Sequence, residues 1–350
     1  MSDPALRRLA LALLVCATAC RSPAPPGEPT WGDELTAMRA HGAELARNDT
    51  GHREARFPGG HVLVHVPAGA FLRGSDDGEP DERPAAEVHL DGYWLAKYPV
   101  TVGQFRAFVE ATGYVTDAER GAGSWQYWEG GWEPRLDGSW RNTYFEQGDD
   151  HPVASVSWND AVAYCAWLSG ELGPTFRLPT EAQWEKGARG TDGRRYPWGD
   201  EPPTGRHANL NDSRFLAAYG ESDRAELADD AIDDGFAETA PVDQYPLGAS
   251  PYGIFDMAGN LGEWCHDVYD ENYYRDGPRV NPTGPPAEPG LDDAEIDRVN
   301  RGGAWTDSAV PYRPGAGHSI LSAARTGDEQ NSSDDHMGFR VCVDNRRGDP

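Results

Sequence analysis

Positive charge is scarce in this chain: 31 lysines and arginines face 58 aspartates and glutamates, for a net charge of −27 at pH 7. That balance repels nucleic-acid phosphates and anionic lipid headgroups, so no nucleic-acid partner is expected. Long hydrophobic runs are equally scarce. The apolar stretch from Leu9 to Ala19, preceded by Arg7 and Arg8, is too short to span a bilayer and has the shape of a signal peptide. Cysteine is limited to five residues, two of which, Cys16 and Cys20, lie in this export region. The remaining Cys165, Cys265 and Cys342 are odd in number, so no complete disulfide framework can be drawn, although an oxidising compartment would permit bridges.

The export segment ends Ala17-Thr18-Ala19-Cys20, which satisfies the small-residue rule for ordinary cleavage and also reads as a lipobox with Cys20 as the lipidated residue. Both readings cut before Cys20, leaving 29 basic and 57 acidic residues. A Pro- and Gly-bearing run, Arg21 to Pro29, follows as a tether. The expectation is export to a bacterial envelope and attachment through the lipid, at the outer membrane, with a soluble periplasmic form as the alternative. The acidity suits bound divalent cations or a saline habitat. The organisation read from the chain is a signal peptide over 1–19, lipidated Cys20 and tether over 20–57, one domain over 58–345 and a tail over 346–350. A weak helical pattern around Leu35, Met38 and Leu45 interrupts the tether.

Within the domain, Gly, Pro, Trp and Tyr are abundant and apolar runs are short, which predicts one large, loop-rich domain. Three helices are legible. Thr101 with Gln104 forms a capping box before Phe105, Phe108, Val109 and Thr112, and Gly113 ends that helix. A second starts after Ser157, with Ala161, Tyr164, Cys165 and Leu168 on one face and Gly170 closing it. Thr180 with Gln183 frames a third, on which Trp184 and Ala188 point the same way. Strands are expected over His61–Val66, Glu87–Leu90 and Gly338–Val343, with the remainder irregular. So little regular structure and so few disulfides leave metal ions as the natural fasteners.

Read in order, eight segments carry a resemblance. They are Pro67-Ala68-Gly69-Ala70-Phe71-Leu72-Arg73-Gly74-Ser75, Tyr98-Pro99-Val100-Thr101, His151-Pro152-Val153, Val156-Ser157-Trp158-Asn159-Asp160-Ala161, the run Arg177 to Glu185, Gly259-Asn260-Leu261-Gly262-Glu263-Trp264, Arg301-Gly302-Gly303-Ala304-Trp305 and Gly338-Phe339-Arg340. Over about His61 to Val343 the chain resembles the formylglycine-generating enzyme (sulfatase-modifying factor) family. The resemblance implies a C-type-lectin-like variant of an α+β fold, low in regular secondary structure and stabilised by Ca²⁺.

Calcium takes six to eight oxygens from carboxylates, amides and backbone carbonyls, so its sites need acids beside turns. Two places qualify. In the first, the side chains of Asp256 and Glu263 flank a glycine-bearing turn and match a family site completed by the Gly259 and Leu261 carbonyls. In the second, the Asn209 and Asp234 side chains with the Leu210 and Phe236 carbonyls resemble another. Two Ca²⁺ sites are therefore expected.

The oxidase chemistry of the family rests on two cysteines, five apart and shortly after Arg-Gly-Gly, that bind Cu(I) as thiolates. Here those positions fall on Asp307 and Tyr312, and no cysteine lies between Cys265 and Cys342. Oxygen donors do not replace thiolates at Cu(I), so copper is not expected and no catalytic residue carries over. The segment Ser308 to His318 also looks lengthened. His318 with Asp307 and Tyr312 could line a cleft, against the plainer reading of an ordinary loop. Cys165 matches a helical cysteine that can be bridged in the family, but the partner position is Ser322, which predicts a buried free thiol. Trp125, Trp128, Trp132 and Trp140 could stack sugars or could simply be structural.

Three functions follow. The first is a non-oxidase envelope lipoprotein binding a protein, peptide or glycan partner. The second is a formylglycine-generating oxidase with displaced ligands. The third is another oxidoreductase of the family, as in relatives joined to an iron-binding helical domain, for which Arg21 to Phe57 is far too short.

Overall fold

The computed structural model describes residues 32–220, 222, 224–310 and 319–344. The expectations placed on the signal peptide, Cys20, Tyr312, His318 and the tail over 346–350 lie outside the described residues. In chain order the strands are β1 (Glu44–Arg47), β2 (Arg53–Arg56), β3 (Val62–Val66), β4 (Gly69–Arg73), β5 (Ala86–Leu90), β6 (Tyr93–Ala96) and β7 (Ser124–Trp128). They continue as β8 (Gly131–Arg135), β9 (Phe176–Arg177), β10 (Gly262–Val268), β11 (Asp297–Arg301), β12 (Thr326–Glu329), β13 (Met337–Phe339) and β14 (Cys342–Asp344). The helices are α1 (Gly32–Ala40), α2 (Val102–Thr112), α3 (Trp158–Leu172), α4 (Glu181–Arg189), α5 (Ser213–Tyr219) and α6 (Tyr273–Asp276). Among the described residues no helix is long and apolar enough to cross a membrane.

The organising layer is a six-stranded sheet in the order β1-β2-β3-β6-β14-β9. Successive side chains on a strand point to opposite faces, so a sheet buried on both sides must be apolar at nearly every position. Strand β6 meets that demand. Trp94 and Ala96 enter one core with Leu63, Phe105, Phe108, Tyr164 and Phe339, while Tyr93 and Leu95 enter another with Val64, Val66, Trp184 and Ala188. Helices α2 and α3 thus cover one face, and α4 covers the other. A four-stranded sheet, β12-β11-β10-β13, stands beside this layer, with β13 parallel to β10.

The two capping boxes that the sequence predicts are formed, and Ser157 with Asp160 makes a third. Thr101 accepts from the Gln104 amide, Ser157 from Asp160 and Thr180 from Gln183, each with the reciprocal bond in place. Gly113 closes α2 in the left-handed region at φ 67°. Helix α3, expected to stop at Gly170, runs to Leu172 and is capped at Gly173. The reason is that buried Leu172 continues the apolar stripe, whose packing outweighs the about 1 kcal/mol penalty of an interior glycine.

Two further expectations are corrected. The single strand over Gly338–Val343 is two strands in different sheets, β13 and β14, separated where the Arg340 side chain turns into the core. Residues 32–57, read as tether with a weak helix, supply α1, β1 and β2, and bury Met38, Ala55 and Phe57. Their short, charged strands hide the pattern, because β1 forms the sheet edge, where few positions need be apolar, and β2, beside it, has only four residues.

Candidate functional site: the loop after Gly302-Gly303 and two acidic turns

Strand β11 ends at Arg301, whose buried guanidinium bonds Glu185 at 2.8 Å and Glu181 at 3.1 Å, both on α4. Arg325 joins Glu181 at 2.7 Å and Tyr274 joins Glu185 at 2.9 Å, so the charges are paired and hydrogen-bonded within the core. This anchor fixes the entry to the following loop. Gly302 and Gly303 take φ of 101° and 67°, and a Cβ on Gly302 would lie 3.1 Å from the Trp184 ring.

Asp307, expected from the resemblance at the first thiol position, is buried and occupied by its own loop. Its Oδ2 accepts the Ala304 amide at 2.8 Å, its amide donates to the Ala304 carbonyl, and its carbonyl accepts the Asn211 amide. Its Oδ1 lies 3.8 Å from the Arg224 guanidinium. Around it stand Trp132, whose ring centroid is 4.4 Å from that of His336, and Arg224, 5.9 Å from the Trp132 ring. Burial holds the His336 imidazole down to about 4, with Asp307 opposing the shift, so it is neutral at pH 7. Arg224 and His336 went unnoticed in the sequence, since neither belongs to a spaced motif.

The cysteines do not converge on this loop. Cys165 lies on α3, Cys265 in β10 and Cys342 in β14, all as buried free thiols. Burial raises all three, Cys342 to about 12, so none is a ready thiolate. Ser322 is buried and Cys165 carries no bridge to it or to another cysteine.

The two acidic turns meet each other. The Asn260 amide donates to the Asn209 carbonyl at 3.0 Å, and a Cβ on Gly259 would come 2.2 Å from that same oxygen, so only glycine fits there. The Asn260 side chain clamps Ala240 through both its amide and its carbonyl, and its own carbonyl accepts from Trp305. In the first turn Asp256 sits at φ 53°, and its Oδ2 is buried without a hydrogen bond. Burial drives its carboxyl well above the usual range, Arg340 opposing and Glu263 adding. In the second, the buried Asn209 Oδ1 also lacks a hydrogen bond. Asp234 accepts the Leu210 amide at 2.7 Å and the Phe236 amide at 3.0 Å, yet burial with Asp212 and Asp233 nearby still raises it to about 8.

A buried orphan oxygen and a carboxyl that cannot easily ionise are features that a cation could satisfy. On that ground Asn209, Asp234 and Asp256 fit a hard cation. Glu263 fits less well, being committed to Arg340 at 2.5 and 2.6 Å and to the Trp184 indole at 2.8 Å. Among the described residues no three His, Cys, Asp or Glu side chains converge on a metal position, so amide and backbone oxygens would have to complete either shell.

The tryptophans divide. Trp140 is buried against Phe105 and Trp132 packs on Tyr127 and His336, whereas Trp125 is 45% exposed. They do not form one stacking platform. The pairing Tyr127–Trp132 across β7 and β8 turns those rings inward, toward Phe215 and Trp305.

Comparison with known families settles the lineage of this arrangement. Residues 50–345 match the sulfatase-modifying factor enzyme 1-like domain. The chain belongs to that family. It is 32% identical to the formylglycine-generating enzyme of Bos taurus over 95% of this chain and 86% of that protein, and 35% identical to that of Thermomonospora curvata over 81% and 93%. It is likewise 32% identical to the inactive C-alpha-formylglycine-generating enzyme 2 of Mus musculus, over 80% of this chain and 85% of that one. The solved structure of PvdO from Pseudomonas aeruginosa superposes with a TM-score of 0.60 at 25% identity, covering 86% of this chain and 98% of that one. The α+β, lectin-like fold implied by the sequence motifs is thereby established for this sulfatase-modifying-factor domain.

Proposed function

We propose that this member of the family is a calcium-braced binding protein of the cell envelope and not an oxidase. The observation that carries the proposal is Asp307. Where Cu(I) chemistry would need a thiolate, a carboxylate is folded back onto the Ala304 amide beside Arg224, and the chain's three described thiols lie buried elsewhere. Kinship to an inactive paralogue supports a fold kept without its chemistry. Calcium would be held by Asn209 and Asp234 with the Leu210 and Phe236 carbonyls, and by Asp256 with Gly259, Leu261 and, less directly, Glu263. Its contribution is to tie loops of low intrinsic order. Export and lipid attachment at Cys20 complete the proposal on the ground of the Arg7 to Cys20 segment. The partner is an envelope protein, peptide or glycan.

The oxidase reading is favoured by one observation, the identity of about a third to several formylglycine-generating enzymes. Incubating the purified chain with Cu(I), oxygen, reductant and a sulfatase-type cysteine peptide separates the two. The expected result is an unchanged peptide mass. Conversion of the cysteine to an aldehyde, dependent on copper and lost on mutating Cys165, Cys265 or Cys342, would overturn the proposal.

A further inference from the structure

Beside the Asp256 turn, whose Phe255 ring packs 5.3 Å from that of Tyr98, a cavity of about 240 Å³ opens between the start of β3, the end of β6 and the turn into α2. It is lined on one side by Val62, Ala96, Val100, Val242 and Val341, and elsewhere by Tyr98, Gln104, Asp150 and Asp243. Its volume falls below the roughly 300 Å³ at which pockets for drug-sized ligands begin, so it suits a side chain or a small amine. Nearby carboxylates are spoken for, Asp149 by Arg106 and Glu54 by Lys97 and Arg56. Asp150 and Asp243, both exposed, have no ion-pair partner among the described residues.

The neighbouring helix end does not invite an anion instead. The first amides of α2 are consumed, Val102 by the His151 carbonyl, Gly103 by the Asp149 carbonyl and Gln104 by the Thr101 hydroxyl. His61, which also lines the cavity, is buried and held neutral by burial at about 4, so it places no positive charge there. Half-buried Tyr98 supplies a ring face, and Lys97, 5.6 Å from that ring, is held by Glu54, which it shares with Arg56.

We propose that this cavity binds a primary alkylammonium group, from a free amine or a lysine side chain. The alkyl stem lies against the valine wall and the ammonium sits between Asp150 and Asp243 at the Tyr98 ring. The site is independent of the reading given above for Asp307.

Isothermal titration of the full chain, with Ca²⁺ present throughout, tests it using n-pentylammonium against n-pentanol and pentanoate. Binding of the cation alone is expected, weakening with added salt. Asp243→Asn and Asp150→Asn should each weaken it about fivefold and the double variant by twentyfold or more, on the scale of a Coulomb contact near water. Both residues are exposed, and unchanged circular dichroism would show that the variants fold. Tighter binding of an N-acetyl-lysine amide than of cadaverine would assign a peptide source, and the reverse a free amine. Equal binding of n-pentanol, or full affinity in the double variant, would overturn the proposal.

Discussion

The loop holding Asp307 and the turns holding Asn209, Asp234 and Asp256 lie one hydrogen bond apart, through Asn260 and Trp305, yet they treat their oxygens in opposite ways. At Asp307 one carboxylate oxygen has a backbone donor and the other faces a guanidinium. In the turns, Asn209 Oδ1 and Asp256 Oδ2 are buried with nothing to accept from. A polar atom buried unsatisfied costs on the order of 1–3 kcal/mol, and a fold keeps several only when something outside the chain completes them. The difference teaches that Asp307 is part of its loop's own framework. The turns leave oxygens unsatisfied, which is what the calcium proposal rests on.

The largest effect is expected where the two behaviours overlap, at Glu263. Arg340→Ala removes the guanidinium that holds this buried carboxylate, and should cost about 3–5 kcal/mol in urea unfolding. Partial rescue by millimolar Ca²⁺ would show that Glu263 also serves the turn, and no rescue would confine it to the ion pair. Chelation comes next. With calcium at about 100 times its dissociation constant, its removal should take away about 2.7 kcal/mol and lower the thermal midpoint, and Asp234→Ala should blunt that response while Asp307→Asn leaves it intact.

A pH scan distinguishes the Asp307 side. His336 has a folded-state value lowered to about 4 against an ordinary 6.5, so the unfolded chain binds the proton first and stability falls as pH drops through that window. By pH 5 the loss should reach about 2 kcal/mol, and His336→Gln should flatten it. The smallest effect, about 1 kcal/mol, is expected from Asp307→Asn itself, because the amide oxygen can still accept from Ala304 and only the weak attraction of Arg224 is lost. A gain in stability there would mean that the charge is buried at a cost and kept for a ligand.

What the chain betrayed in advance was local. The capping boxes at Thr101 and Thr180 are written within four residues and the start at Ser157 is legible too, and helices α2, α3 and α4 followed. Features that join distant residues were hidden. Strand β9 has two residues and exists only because β14, more than 150 positions on, runs beside it. The break between β13 and β14 depends on Arg340 finding Glu263, which the turn motif had assigned wholly to calcium. Family motifs pointed to the acidic turns and to Asp307, but not to what surrounds them. That Asp307 would face Arg224 with His336 and Trp132 close by required the folded chain.

Metal analysis of one preparation sets the two regions against each other most directly. The purified chain is supplied with Ca²⁺ and Cu(I), desalted, and its bound metals are counted by mass spectrometry. Calcium at about two per chain with copper at background is the expected result, since the oxygen-lined turns suit the hard ion and no converging thiolates remain for the soft one. Stoichiometric copper with no retained calcium would contradict it.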